Sequence, residues 1–340
     1  MQITGSHNPK EYNGLKIAVG PSTIHGREIQ KLREIAEAGK FLGAKKPVTI
    51  TRMDLAPKYE AEILKRIKLK RKLKVVVDAG NGVGGEIAIP LYEKLGCTVI
   101  PLYCDVDGRF PNHHPDPTIP ASLKQLIATV KKEKADLGIA FDGDADRALF
   151  VDENGEVVDG DGMLWIVAGH LLDNGGLENR KVISTVMSNL GLEIALRERG
   201  VELVRTAVGD KYVLEELLRS GSDVGGEQSG HIIFPKRSLV GDGIVTALTL
   251  VETMEEKNES LSQMLSGFVK YPQILVNVKV KEKRPFETVS EIASAAKALE
   301  SELDGQGRLL LRYSGTENLA RVMIGGNDQT IITKHANYLA

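Results

Sequence analysis

The 340-residue chain is predicted to be a multi-domain α/β protein that ends in an α+β unit. Three observations predict it. Apolar runs alternate with amphipathic stretches from Lys74 to Leu218, as expected for parallel strands linked by helices. Polar clusters follow the carboxyl ends of the runs, where open α/β sheets place ligands. Beyond Gly267 the pattern changes to a clean alternation typical of a half-buried antiparallel sheet.

Taken in order, Lys74–Asp78 (KVVVD) reads as a buried strand, Glu86–Gly96 as a helix and Cys97–Tyr103 as a strand. The amphipathic stretch Ser122–Lys134 precedes a further strand, Ala135–Asp142. This βαβαβ progression predicts a mainly parallel sheet. Val182–Met187, Gly191–Arg199, Val201–Thr206 and Tyr212–Leu218 repeat the alternation. Ile274–Lys281 (ILVNVKVK) alternates strictly, Pro285–Leu303 reads helical, and Arg308–Tyr313 and Ala320–Ile324 read as strands before a terminal helix. Breaks at Lys65–Lys74, Glu153–Glu156 and Gly267–Gln273 divide the chain into segments 1–60, 61–156, 157–270 and 271–340.

A hydrophobic content of 42% with 26% charged residues is that of a globular protein. The 44 basic and 46 acidic residues leave a net charge of -2, so no global field points to nucleic acid or a membrane. Any anion site must be built locally. Cys97 and Cys104 fit no zinc spacing, and Cys97 reads as a reduced core thiol. No signal-like segment precedes Ser6 and no apolar run reaches membrane-spanning length, so the expected location is the cytoplasm.

Four clusters carry chemistry. Thr4-Gly5-Ser6-His7-Asn8-Pro9 sets a serine in a tight turn beside an imidazole, a composition suited to a nucleophile or phosphate carrier. Asp142-Gly143-Asp144-Ala145-Asp146-Arg147 follows a strand, and three carboxylates at alternate positions repel unless a cation gathers them. Hard oxygen ligands at this density suit Mg²⁺, and Arg147 adds a charge for a phosphate oxygen. A solvated acidic turn is the alternative. Gly226-Glu227-Gln228-Ser229-Gly230-His231 alternates a carboxylate, a hydroxyl and an imidazole. An extended backbone would project all three to one side, suiting a polyhydroxylated ligand. Arg312-Tyr313-Ser314-Gly315-Thr316-Glu317-Asn318 between two strands offers a guanidinium, hydroxyls and loop amides for a phosphate. A competing motif, Gly80-Asn81-Gly82-Val83-Gly84-Gly85 with Asp105 beyond the next strand, fits a dinucleotide fingerprint and an NAD-dependent dehydrogenase. That alternative leaves Ser6, the triple Asp and Ser314 without a role.

Together the first four clusters, in this order and over essentially the whole chain, resemble the α-D-phosphohexomutase superfamily. The resemblance implies three related α/β domains, the first incomplete here, and a C-terminal domain like the TATA-binding-protein fold, around a central cleft. It implies transfer of phosphate between O6 and O1 of a hexose phosphate through a phosphoserine and a hexose 1,6-bisphosphate. Carried over by residue, Ser6 is the phosphorylated carrier, and Ser6, Asp142, Asp144 and Asp146 ligate Mg²⁺. Lys16, in Glu11-Tyr12-Asn13-Gly14-Leu15-Lys16, and His7 stand beside the reacting groups, and either serves proton transfer; Arg147 supplies charge. Glu227, Ser229 and His231 hold sugar hydroxyls, while Arg312, Ser314, Gly315 and Thr316 grip the non-reacting phosphate. Gly80–Gly85 becomes the first strand–helix turn of the second domain.

Thr4–Lys16 and Phe110-Pro111-Asn112-His113-His114-Pro115-Asp116-Pro117 look like the bacterial phosphomannomutase/phosphoglucomutase branch. Met187–Gly191, Val208–Tyr212, Gly226–His231 and Arg312–Asn318 look more like the phosphoglucosamine mutase branch, which implies glucosamine phosphate as substrate. A monomer or homodimer is expected. The family carries most of its first domain ahead of the serine loop, so the resemblance also implies an N-terminal truncation. It further implies that Gln2–Lys58 exposes part of a core, and that a non-catalytic fragment binding sugar phosphate is an alternative.

Overall fold

The computed structural model describes residues 1–20, 22–24, 26–39, 41–43, 49–303, 307–314 and 318–340. The chain divides into two compact units. One comprises Met1–Gly160 and Ser229–Met264, the other Asp161–Gln228 and Leu265–Ala340.

The first unit opens with a hairpin of β1 (Gln2–Ile3) and β2 (Leu15–Lys16), in which Gln2 faces Lys16. A second small hairpin, β3 (Ala18–Val19) and β4 (Ser22–Thr23), leads to α1 (Arg27–Glu37). This helix buries none of its residues: Ile29, Leu32 and Ile35 form an apolar stripe that is 48%, 43% and 46% exposed. Helix α2 (Ala56–Arg66) carries Pro57 in its first turn, where its missing amide costs nothing, and ends on Lys65 and Arg66, which favour its dipole. Its Tyr59 hydroxyl donates to Asp242 Oδ2 at 2.8 Å.

The core of this unit is a five-stranded sheet. In chain order it contains β5 (Lys74–Asp78), β6 (Thr98–Leu102), β7 (Leu137–Phe141), β8 (Ala148–Val151) and β9 (Val157–Val158). Their spatial order is β6-β5-β7-β8-β9. The first three run parallel, linked by α3 (Gly84–Lys94) and α4 (Lys124–Glu133), as the sequence predicts. The antiparallel extension β8–β9 was not predicted. The turn at 153–156 joins these two strands, where Asp152 Oδ1 accepts from the Asn154 and Glu156 amides. β7 is buried along its whole length, with Val76, Leu126, Val130, Ala140 and Val151 in one cluster. Burial on both faces explains its continuous apolar run.

In the second unit, α5 (Gly160–Asp173) precedes β10 (Lys181–Thr185), α6 (Leu190–Glu198), β11 (Glu202–Thr206), α7 (Asp210–Ser220) and the short β12 (Gly225–Gly226). β10 pairs in parallel with both β11 and β12. β13 (Ile232–Ile233), α8 (Gly243–Lys257) and α9 (Leu261–Met264) return to the first unit; Asp242 caps α8 by accepting from the Val245 amide.

The C-terminal part contains β14 (Gln273–Lys279), α10 (Ser290–Leu303), β15 (Gly307–Tyr313), β16 (Leu319–Gly326) and α11 (Gln329–Leu339). The antiparallel order β14-β16-β15 is the predicted α+β unit. Its helix-facing side is closed by Leu299, Val322, Ile324, Ile332 and Ala336.

Candidate active site

The acidic loop occupies the connection between β7 and β8, at the carboxyl end of β7. Asp142 is fully buried, and its Oδ1 accepts from the Arg147 amide at 3.2 Å. Ala145 adopts a left-handed conformation, φ 58°, so the chain reverses within the loop. Asp142, Asp144 and Asp146 each bring one oxygen into a group whose members all lie within 4.8 Å of one another. Burial, then the charges of Asp146 and Asp144, push the Asp142 carboxyl up to about 8. Burial opposes ionisation of Asp146 as well, but His231 and Lys16 outweigh it and hold this carboxyl below its ordinary value.

The serine loop is the turn of the β1–β2 hairpin. Ser6 is left-handed, φ 53°, a conformation costing an L residue of order 1 kcal/mol. Contacts to the acidic loop hold it there. The Thr4 hydroxyl donates to Asp144 Oδ2 at 2.8 Å and accepts from the Ser6 amide at 2.8 Å. The Ser6 hydroxyl lies 3.1 Å from Asp142 Oδ2 and 3.1 Å from His7 Nδ1. A Cβ on Gly143 would stand 2.4 Å from the Ser6 carbonyl oxygen, so only glycine permits this approach.

Positive charge surrounds the cluster. Lys16, placed by its pairing with Gln2, reaches Asp146 Oδ2 at 2.7 Å and Asp144 Oδ2 at 3.3 Å. Burial lowers the Lys16 ammonium pKa, but the hydrogen bond and charge of Asp146 outweigh it and keep the pKa above its ordinary value. Arg147 Nε lies 3.8 Å from Asp142 and 3.7 Å from Asp146. His231 Nδ1 is 3.5 Å from Asp146 Oδ2. Burial, then Arg147, lowers the His7 imidazole pKa against the opposing Asp116, whose Oδ2 is 3.8 Å from His7 Nε2.

Ser6, His7, Lys16, Asp142, Asp144, Asp146, Arg147 and His231 therefore meet in one unit. Sequence reasoning gave no role to Thr4 or Asp116. Only a hydroxyl two residues before Ser6 and a carboxylate in a proline-rich loop could have signalled them.

In the second unit, Glu227 Oε1 accepts from the Gly209 amide at 3.0 Å, just ahead of α7. The expected extended run through Glu227, Ser229 and His231 is corrected: residues 228–229 form a turn, so simple alternation does not place these side chains. Arg312, on β15, has its pKa lowered by burial and then by Arg321, which stands opposite it on β16. Ser314 is 3% exposed, and its carbonyl accepts from Lys283 Nζ at 2.6 Å. Gly315 and Thr316 lie outside the described residues.

The glycine-rich turn that prompted the dinucleotide alternative has a packing role. A Cβ on Gly82 would stand 2.5 Å from the Gly143 carbonyl oxygen, and one on Gly85 would stand 2.8 Å from Cys104 Cβ. These glycines let the β5–α3 turn pack beneath the acidic loop and against β6, while Asp105 is exposed.

Comparison with known proteins agrees. Models of the phosphoglucomutase/phosphomannomutase family match three successive segments. These are α/β/α domain II over residues 57–155, α/β/α domain III over 159–271 and the C-terminal domain over 275–340. Phosphoglucosamine mutase of Caldanaerobacter subterraneus subsp. tengcongensis is 41% identical over 100% of this chain and 77% of its own length. That of Desulforamulus reducens is 42% identical over 98% of this chain and 77% of its own.

A solved phosphoglucomutase/phosphomannomutase family protein of Burkholderia thailandensis matches with a TM-score of 0.84 at 30% identity, covering 98% of this chain and 73% of that one. N-acetylphosphoglucosamine mutase of Aspergillus fumigatus, solved with GlcNAc-6P and magnesium, shares the fold at a TM-score of 0.62 and 23% identity, covering 83% of this chain and 67% of that one. Fold and relatives define a class, the isomerases of phosphorylated hexoses. The chain belongs to the phosphoglucomutase/phosphomannomutase family, within the α-D-phosphohexomutase superfamily. No helix among the described residues is long and apolar enough to cross a membrane.

Proposed function

We propose that this chain interconverts glucosamine 6-phosphate and glucosamine 1-phosphate, with Ser6 as the phosphate carrier and hexose 1,6-bisphosphate as the intermediate. The observation that carries this is the Ser6 hydroxyl, 3.1 Å from the buried Asp142 of a three-carboxylate loop. The 41% and 42% identical relatives named phosphoglucosamine mutase support the choice of sugar.

The acidic loop fits Mg²⁺. Asp144 Oδ1 and Asp146 Oδ1 are buried carboxylate oxygens without a hydrogen bond, and an all-oxygen donor set suits a hard cation. Asp142, Asp144, Asp146 and the phosphorylated Ser6 would hold it. When bound it neutralises charge on the phosphoryl group in flight.

The remaining work falls to side chains. Phosphoryl transfer depends on positioning and on fixed charge of the right sign, which Arg147 and Lys16 supply at the loop. His7, with Nδ1 3.1 Å from Ser6 Oγ, takes the serine proton when Ser6 is rephosphorylated. Glu227, Ser229 and His231 hold sugar hydroxyls, and Arg312, Ser314, Gly315 and Thr316 grip the non-reacting phosphate. The four segments 1–60, 61–156, 157–270 and 271–340 each contribute one loop to this chemistry, in a cytoplasmic monomer or homodimer.

The test compares kcat/KM for glucosamine 6-phosphate, mannose 6-phosphate and glucose 6-phosphate, with Ser6→Ala as control. The expected result is a preference for the amino sugar and loss of all turnover in the variant. Preference for mannose or glucose phosphate would favour the phosphomannomutase/phosphoglucomutase branch, which Thr4–Lys16 and Phe110–Pro117 resemble. Sugar-phosphate binding without turnover would identify an inactive fragment.

A further inference from the structure

The sugar-recognition loop has an anchor that none of its proposed contact residues supplies. Asp161, in the first turn of α5, is completely buried. Its Oδ2 accepts two hydrogen bonds, from the Gln228 side-chain amide at 2.9 Å and from the Asn189 backbone amide at 2.8 Å. The positive end of the helix dipole is a favourable place for such an acceptor. Both bonds end on Oδ2 as acceptor, so the Gln228 amide presents its nitrogen to Asp161. The side chain between Glu227 and Ser229 is thereby fixed in one orientation.

The same oxygen fixes a second element. Asn189 caps α6 by accepting from the Gly191 amide, and it grips the segment entering β14 with two further bonds. Its Nδ2 donates to the Tyr271 carbonyl at 2.8 Å, and its Oδ1 accepts from the Tyr271 amide at 2.9 Å. Asn189, Gln228, Lys270, Tyr271, Pro272 and Gln273 line a cavity of about 460 Å³ within this unit. Two of its walls therefore hang from one buried oxygen.

We infer that Asp161 is the positioning residue of the sugar-recognition loop, acting on Glu227 and Ser229 through Gln228. The inference rests on the proposed reading of that loop as the sugar site. Asp161 does not touch the substrate; it sets the loop that does, and so governs affinity for the hexose rather than for phosphate alone.

The test measures dissociation constants of the full chain for glucosamine 6-phosphate and for inorganic phosphate, by calorimetry. Asp161→Ala is expected to weaken sugar-phosphate binding about tenfold, the scale of a buried group left without its hydrogen-bond partner, while inorganic phosphate binds as in the wild type. Asp161→Asn, whose Oδ1 can accept both bonds, should recover most of that loss. Gln228→Ala keeps the Asp161–Asn189 bond and should reproduce the selective weakening, which carries the test if Asp161→Ala does not fold. Combining the two should weaken binding no further than Asp161→Ala alone.

Unchanged sugar-phosphate affinity in Gln228→Ala, or equal weakening for sugar phosphate and inorganic phosphate, would overturn the inference. A wild type that binds mannose 6-phosphate but not glucosamine 6-phosphate would instead overturn the choice of substrate. The same ratio is then read with mannose 6-phosphate.

Discussion

The two loops that meet at Ser6 are built in opposite ways. The acidic loop hangs from β7, a strand buried at every residue, and its Asp142 is inaccessible. The serine loop is the turn of a hairpin whose strands are two residues each and wholly exposed. One loop is placed by the core of its sheet. The other is placed largely by the first, through Thr4 and Lys16 on Asp144, Ser6 on Asp142, and the bare backbone at Gly143. The acidic loop is thus both the proposed metal site and the template for the phosphate carrier. A change at a single aspartate should remove both functions.

The largest effect is expected from Asp144→Ala, which removes a proposed ligand, the acceptor of the Thr4 hydroxyl and one of the two carboxylates that hold Lys16. Mutase turnover should fall about 10³-fold, on the scale of losing a preorganised electrostatic group. The rise in Tm caused by Mg²⁺ in the wild type should be lost, as thermal unfolding with and without the ion will show. Retained Mg²⁺ stabilisation would separate the metal site from Asp144.

Gly143→Ala comes next. Its new methyl would collide with the Ser6 carbonyl, so the serine loop must move while the sheet stays intact. A displacement of this kind costs about a hundredfold in rate. The expected signature is a kcat loss with near-wild-type Tm; wild-type kcat would show that the serine loop does not need this seat.

Thr4→Val is smaller. It deletes the bridge between the Ser6 amide and Asp144 but no proposed ligand, and should lower kcat about tenfold with unchanged Mg²⁺ affinity.

The smallest effect lies below the acidic loop. The Gly143 amide donates to the Pro115 carbonyl at 3.1 Å, and the neighbouring His113 is held by the buried Asp78 at 3.1 Å. The hydrogen bond to Asp78 raises the His113 pKa above 6.5. The charged form is therefore favoured in the folded state. Its contribution to stability is full below pH 6.5 and is lost as pH rises through the raised value. Wild type should exceed His113→Gln by a few degrees in Tm at low pH and by less at high pH. A margin independent of pH would refute the pairing.

Much of this was legible in the sequence because the relevant signals are local. The strand Lys74–Asp78 and the terminal α+β unit stand where apolar runs and alternation predict them. The acidic loop announces itself, since three carboxylates in five residues have few uses. The helices α5 and α8 carried no usable period because they are buried on nearly all sides, Met163–Ala168 and Ala247–Val251 without interruption. The antiparallel pair β8–β9 was hidden because a buried apolar run does not reveal its direction. The glycines of Gly80–Gly85 misled, since close packing against backbone and nucleotide binding select the same residue. Thr4 with Asp144, 140 residues apart, and Asp161 with Gln228, 67 apart, are products of folding that spacing alone does not show.

The central claim is that Ser6 receives phosphate on a seat made by the acidic loop. Its most direct test is incubation of the purified chain with hexose 1,6-bisphosphate and Mg²⁺, followed by intact-mass and peptide analysis. One phosphate on Ser6 is expected in the wild type, with none in Ser6→Ala and strongly reduced incorporation in Asp144→Ala. Incorporation that is absent from the wild type, or that persists in Ser6→Ala, would contradict it.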